Sequence, residues 1–433
     1  IQISLSGGGS GEAVFYDGFS GNTSAPTQTT SYQRDALHRV TSVTDAAGNT
    51  RKFAYDAASN RTSVSDALNH TSTSGFDALN RPTSTTDALG NQTTIGYDAV
   101  GNKTSMTDPL GRVTSATYDA QGRVLTATDP RGGVTSYTYD LAGNQTSITD
   151  SVGNQTTYAY DASNRVTSTT DPLGNITTYV YDASNQLTSK TDRDGRTTTY
   201  GYDLAGRETS ETWVGGNYTA TYAYNANGQL TLAQDPFSSY SYTYDTFGNV
   251  SSVDNAGTLG VPHVLLNYSY DSFGNRTSLT DNMGGSISYS YDTDNRLARM
   301  GLSLNGTQDA QLTFAYDTAS RLTGITRTGA SGSDTITSAF SYDTADRLTN
   351  IMHTDTTKSL TFANYTYGYD KASQLTSYQD ATSSLTNGYD PAGELTSAAG
   401  TLNGSNYSVS YAYDLNGNRN MTGYTTGKGN ELS

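Results

Sequence analysis

The sequence has no cysteine, which removes a disulfide framework, a thiolate metal site and a cysteine nucleophile at one stroke. Lysine and arginine are few, 25 against 41 aspartates and glutamates for a formal charge of −16. Binding to a phosphate backbone rests on clustered cations, so nucleic acid is not expected as a partner. Hydrophobic residues make up only 33%, too few aliphatics for one large oily core. The longest apolar stretch, around Val264 to Leu266, falls far short of the roughly 20 residues a helix needs to span a bilayer. Ile1 opens the chain with neither a methionine nor a charged-then-apolar leader, which reads as a piece of a longer protein or as a chain whose signal has been removed.

What the chain does have is glycine (44) and tyrosine (34), with charged residues held to 15%. That composition is not the low-hydrophobicity, high-charge one of disorder. It suits strands with tyrosine on one face and threonine or serine on the other.

Self-similarity dominates the text. Tyr-Asp or Phe-Asp ends at Asp56, Asp77, Asp98, Asp119, Asp140, Asp161, Asp182 and Asp203, each step being 21 residues, and Asp35 extends the register backwards. A second series runs through Asp45, Asp66, Asp87, Asp108, Asp129, Asp150, Asp171 and Asp192, dividing each unit into halves of 10 and 11. Asp-Pro-Leu-Gly at 108–111 and 171–174 is turn chemistry: Asp bonds the following amides, Pro pre-sets φ and Gly closes the turn. The fourth turn position is Gly101, Gly122, Gly143 or Gly206 in the first series, with His38, Ser59, Asn80, Asn164 and Asn185 elsewhere in it, and in the second series Gly, as at Gly111, at every turn but that of Asn69. Except for Ser59 these residue types tolerate positive φ, which predicts a type I turn closing on a G1 bulge.

Between turns lie six or seven residues such as Arg112 to Tyr118, rich in β-branched and aromatic types, the signature of strands. Tyrosines recur with period two, as at Tyr137/Tyr139, Tyr158/Tyr160 and Tyr200/Tyr202, and so share a strand face. The fold expected is all-β: tandem β-hairpin repeats forming a long spiralling antiparallel β-sheet. Eighteen repeat positions imply roughly 36 strands, a contour on the order of 170 Å and, curled once round a lumen, a diameter of about 50 Å. The organisation expected is an irregular leader over 1–30, regular 21-residue repeats over 31–210, and degenerate repeats over 211–433, with the insertions at 255–265 and 328–335 as loops.

The structural repeat positions are Tyr97, Asp98, Gly101, Asp108, Gly111, Tyr118, Asp119, Gly122, Tyr139, Asp140, Gly143, Tyr160, Asp161, Tyr181, Asp182, Tyr202 and Asp203. No catalytic, cofactor-binding or metal residue is assigned. The aspartates sit where turns need them rather than as paired acids. Asp192-Arg193-Asp194-Gly195 lacks the third ligand of a calcium loop. His38, His70, His263 and His353 are scattered. Asn-x-Thr triplets at Asn91 and Asn144 match the glycan acceptor pattern but follow from a turn asparagine preceding a strand threonine.

The recurring text, for example Tyr97-Asp98-Ala99-Val100-Gly101-Asn102-Lys103-Thr104-Ser105, resembles the YD repeats of the Rhs family, which includes polymorphic toxins, cocoon-forming subunits of insecticidal toxin complexes and the teneurins. The resemblance covers about residues 31 to 420. It implies a spiralling shell, secreted or at the cell surface, that encloses a C-terminal effector. The family's self-cleaving core signature is absent from these residues, so no protease residues carry over. The alternative is an extracellular adhesin or fibre that binds glycans or associates with itself through edge strands.

Overall fold

The computed structural model describes residues 2–4, 13–16, 29–216, 218–330, 334–420 and 427. Every regular element among them is a β-strand, 37 in all, with no helix. Strands that follow one another in the chain pair antiparallel, as the short connections require. Val134–Tyr139 pairs with Gln145–Thr149, which pairs in turn with Gln155–Tyr160.

The two half-units differ in their pairing. In the first-series hairpin Thr138 faces Ser147 but Tyr139 faces Gln145, a register shift of the bulge type. In the second-series hairpin Ser147, Ile148 and Thr149 face Thr157, Thr156 and Gln155 without a shift. The same offset recurs at Tyr55, Tyr97, Tyr160, Tyr181 and Tyr202. One residue of offset per repeat increases local twist.

Two compact units divide the chain. One comprises Ile1–Ser115, Ser288–Ser303 and Thr307–Ser410; the other comprises Ala116–Ile287, Leu304–Gly306 and Tyr411–Ser433. Neither is a single stretch of sequence. Of the expected irregular leader, the described residues are strands, Gln2–Ser4 paired with Ala13–Tyr16, which pairs with Thr29–Arg34; the rest of it lies outside the described residues.

The insertion at 255–265 runs as consecutive turns closed by the Asn255 amide on the Val264 carbonyl. At 328–335 the ends are strand rather than loop, because Thr328 and Thr335 pair in the strands Leu322–Gly329 and Thr335–Tyr342; residues 331–333 between them lie outside the described residues. The extra residues lengthen strands: Thr307–Tyr316 and Leu360–Tyr369 each run to 10 residues, against 6 for Val113–Tyr118. Lengthening both partners adds ladder hydrogen bonds that a loop would leave to solvent.

The interior is made of small residues. Among the described residues, those that are buried are Gly133, Ala220 and Ala398 together with Ser42, Ser147, Ser338 and Ser383. Strand contacts within each unit run only between sequence neighbours, so cohesion comes from the ladder and its cross-strand pairs rather than from an oily layer. Hydroxyl pairs such as Thr44 with Thr50 (2.8 Å) and Thr138 with Ser147 (2.6 Å) join adjacent strands. Gly96 leaves room for such a hydroxyl, since a Cβ there would come within 2.5 Å of Ser105 Oγ.

Candidate functional site

The chemistry of the molecule is concentrated in its turns. The turns of both regular series start from an aspartate whose amide donates to the carbonyl four residues on, while the amide three residues on donates back to the aspartate carbonyl. For Asp119 these bonds are 2.9 Å (to Arg123) and 3.0 Å (from Gly122), and for Asp108 3.0 Å (to Arg112) and 2.9 Å (from Gly111). The fourth residue has φ of 103° at Gly101, 78° at Gly122 and 91° at Gly143, and of 61° and 71° at His38 and Ser59.

The side chain of the aspartate then fixes the turn from inside. Asp119 Oδ1 accepts the Gln121 and Arg123 amides, both at 2.9 Å, and its Oδ2 accepts Arg123 Nε at 2.6 Å. Arg123 reaches on to the next repeat. Its Nη1 donates to the Asp140 carbonyl at 3.2 Å, its guanidinium lies 4.6 Å from the Tyr139 ring centroid, and Tyr139 Oη donates back to the Val124 carbonyl at 2.9 Å. Aspartate, arginine and the next repeat's tyrosine thus form one interlocked cluster, combining a charge-assisted hydrogen bond with a cation–π contact.

The same cluster joins Asp161, Arg165 and Tyr181, and Asp203, Arg207 and Tyr224. Where the fifth residue is asparagine, its Nδ2 takes over the bond to Oδ2, at 2.8 Å in Asp98 and 2.9 Å in Asp140. Asp182 accepts the Ser184 and Gln186 amides. Tyr97, Tyr160 and Tyr202 each donate from Oη to a carbonyl of the preceding hairpin, at 2.7–2.8 Å, and Tyr118 ends the strand Val113–Tyr118. The arginine role was absent from the sequence reading, although a signal for it exists: arginine stands in the fifth place at every second repeat, Arg39, Arg81, Arg123, Arg165 and Arg207.

Within each unit a second kind of contact joins turns far apart in sequence. Asp294 accepts the Ala47 amide at 3.1 Å and Asn49 Nδ2 at 3.3 Å, and Arg112 Nη1 donates to Gln374 Oε1 at 2.9 Å. In the other unit Asn416 bonds Asp150 Oδ2 (2.5 Å) and Ser151 Oγ (2.6 Å), and Arg131 Nη1 donates to the Asp414 carbonyl at 2.9 Å. In every one of these contacts a late turn that continues the first, Tyr-Asp, series (Asp292, Asp370 or Asp414) sits on a second-series turn from early in the chain.

Other residues singled out in the sequence are engaged locally. Asp192 and Asp194 both bind Arg196, each at 2.7 Å. His263 Nε2 lies 2.8 Å from Asp254 Oδ1. Ser338 Oγ lies 2.7 Å from His353 Nδ1, the spacing of a nucleophile and its base, but Ser338 is 1% exposed and Arg327 Nη1 covers its hydroxyl at 2.6 Å.

The turns set the acid response. In Asp161 the Arg165 side-chain bond, helped by the amide bonds, holds the carboxyl below its ordinary value. In Asp343 burial pushes the carboxyl up, and the bonds from Arg347 and Ala345 outweigh it. The Tyr378 hydroxyl, 2.6 Å from Asp380 Oδ2, lowers that carboxyl to about 2 and is itself raised to about 12 by the same bond. A carboxyl lowered in the folded state contributes stability above its unfolded value, near 3.8, and loses the contribution as pH falls toward the folded one. Thermal melts followed by circular dichroism should therefore hold a constant midpoint from pH 7 to 5 and fall between about pH 4 and 2. For Tyr378 the sign reverses: its contribution is complete below about pH 10 and is lost on the way to 12.

The sequence family described as RHS Repeat matches the chain eight times, at residues 23–50, 34–71, 76–114, 118–155, 139–178, 181–218, 224–259 and 270–302. No curated protein matches it. Among solved structures, the crystal structure of TcdB2-TccC3-Cdc42 aligns with a TM-score of 0.78 at 15% identity, and that of TcdB2-TccC3 with 0.77 at 14%. The Photorhabdus luminescens Tc holotoxin pore structure aligns with 0.76 at 14%. In each, 95% of this chain is covered but only 26% of the other. At this identity the likeness establishes the fold.

Proposed function

The chain belongs to the RHS repeat family, and from that premise we propose that it is a segment of a β-structured wall that encloses a C-terminal effector polypeptide of a secreted Rhs-type protein. The observation that carries the reading is the docking of late first-series turns on early second-series turns within each unit. Strands of 5 or 6 residues are only about 20 Å tall, and stacking rim on rim is how so short a sheet gains height. Interlocked clusters along the first-series turns stiffen it, as a container wall requires. Its role is read as non-catalytic: most hydrogen-bonding side chains of the turns hold backbone, and the Ser338–His353 pair is covered.

The test uses the full-length natural protein. Under limited proteolysis, the polypeptide beyond the repeats should survive while the wall is folded and be digested once the wall is unfolded by denaturant. A segment cut as fast in the intact protein as in isolation, or a natural chain with nothing beyond the repeats, would overturn the reading.

A second reading, self-association into an extracellular fibre, is favoured by one feature. Apolar residues stand fully exposed at first-series turn tips, Leu141 at 109%, Leu204 at 111% and Phe247 at 88%, on the kind of rim that elsewhere in the same unit is docked. Filaments in electron micrographs of the same preparation would support it, and isolated particles alone would remove it.

A further inference from the structure

Two turns break the bonding rule of their series: in the Asp129 turn the fifth residue is Gly133 and Arg131 reaches Oδ2 instead, while in the Asp66 turn Oδ2 is left without a hydrogen bond. In the second-series turns the aspartate Oδ2 accepts a donor from the fifth residue: Asn49 Nδ2 at 3.0 Å, Asn91 Nδ2 at 2.8 Å, Asn154 Nδ2 at 3.0 Å, Asn175 Nδ2 at 2.9 Å, Arg112 Nε at 2.5 Å and Arg196 Nε at 2.7 Å. In the turn that starts at Asp66 the fifth residue is His70. Its Nδ1 stands 3.1 Å from Asp66 Oδ2, yet both atoms are buried without a hydrogen-bond partner. The turn itself is intact, because Asp66 Oδ1 accepts the Leu68 and His70 amides at 2.9 and 2.8 Å. A buried donor or acceptor left unmade costs about 1–3 kcal/mol, and the histidine gives up a bond that an asparagine would make.

The same point receives a third group from late in the chain. Asp346 Oδ1 lies 3.7 Å from His70 Nδ1, and one ligand atom from each of the three residues falls within 4.8 Å of the others. Asp346 occupies the positive-φ place of its turn, at 63°, where neighbouring turns carry Asn295, Ser320, Ser373 and Gly393. Its bond from Arg321 Nη1 at 2.8 Å is no reason for a carboxylate, since Ser320 takes the corresponding bond from Arg296 Nη1 at 2.9 Å.

We infer that Asp66, His70 and Asp346 bind a divalent transition-metal ion of zinc-like character, which ties a late turn to an early one within one unit. One imidazole nitrogen and two carboxylate oxygens form a donor set suited to such an ion, with a fourth place for water. Bonds of about 2.0–2.2 Å in a tetrahedral arrangement set donor atoms roughly 3.3 Å apart, and the 3.1 and 3.7 Å separations bracket that spacing. The cavity at this point, about 440 Å³, is lined by Asp66, Asp87 and Asp346 together with Arg51; counting Arg321, which pairs with Asp346, three carboxylates face two guanidinium groups, a balance that favours a cation over an anion. Asp346 is 58% exposed, which leaves a path for the ion and its water. The ion would satisfy both orphaned atoms together.

The experiment is isothermal titration with Zn²⁺ alone, repeated with Co²⁺ to read its visible absorption, on the wild-type chain and two variants. His70→Asn installs the residue found at Asn49 and Asn91 and keeps the turn folded; Asp346→Ser installs the one at Ser320. The expected result is one ion per wild-type chain, with affinity at least tenfold weaker in either variant and the cobalt bands lost. Wild-type protein that binds no ion, or variants that bind as wild type does, would overturn the assignment. Thermal melts of the apo proteins keep misfolding separate from loss of a ligand.

Discussion

Replacing Gly400 by alanine should open the ladder between Ser384–Tyr389 and Leu395–Leu402, at a cost of about 3 kcal/mol. Gly400 has φ of +146° on the strand Leu395–Leu402 and pairs with Leu385 on one side and Tyr407 on the other. A Cβ there would overlap the Ser384 carbonyl oxygen, part of the backbone rather than a side chain that could swing aside. Relief requires the strand to move, and a moved strand breaks register on both flanks. Gly404 provides the control: it closes the Asn403-Gly404 hairpin with φ of +76° and open space around it, so alanine there should cost only about 1 kcal/mol. Hydrogen exchange is the appropriate readout, because repeat arrays open locally. Amides of Leu395–Leu402 should lose protection in Gly400→Ala while those of Val134–Tyr139 keep theirs.

Arg347→Ala should destabilise its neighbourhood by about 2–3 kcal/mol, and Arg347→Asn by clearly less. Arg347 Nε bonds Asp343 Oδ2 at 2.6 Å, its Nη1 bonds the Asp370 carbonyl at 2.7 Å, and the guanidinium lies 5.0 Å from the Tyr369 ring centroid. Both ionic side chains are mostly buried, 16% and 19% exposed, so truncation leaves a carboxylate without its cation as well as an orphaned carbonyl. Asparagine restores the bond to the carboxylate, as Asn102 does for Asp98 at 2.8 Å, and forfeits the contacts to the next repeat. The difference between the two variants in urea denaturation therefore measures the coupling between repeats. Equal losses would show that the arginine serves only its own turn.

The turns were legible because aspartate, proline, glycine and asparagine act through the backbone within four residues, a range that a sequence exhibits directly. The strands were legible through the two-residue alternation of tyrosine. That strands extend into the ends of the insertion at 328–335 was not legible because alternation fades in Thr328 to Thr335, while the pairing that claims those ends needs both strands to be present. The site at Asp66, His70 and Asp346 was illegible for a similar reason. A histidine in a turn position looks like one more tolerant residue until the third ligand is placed beside it.

By itself the sequence determined the all-β hairpin array, the place of each bend and the alternation of faces. These follow from local sterics and from hydrogen bonds that close within a few residues. Only the tertiary structure decided which arginine locks which tyrosine, how the extra residues were divided between strand and loop, and which late turn rests on which early one. Those contacts join residues as far apart as Arg131 and Asp414. Their partners are selected by the accumulated twist of many strands, a sum that no local pattern of residues encodes.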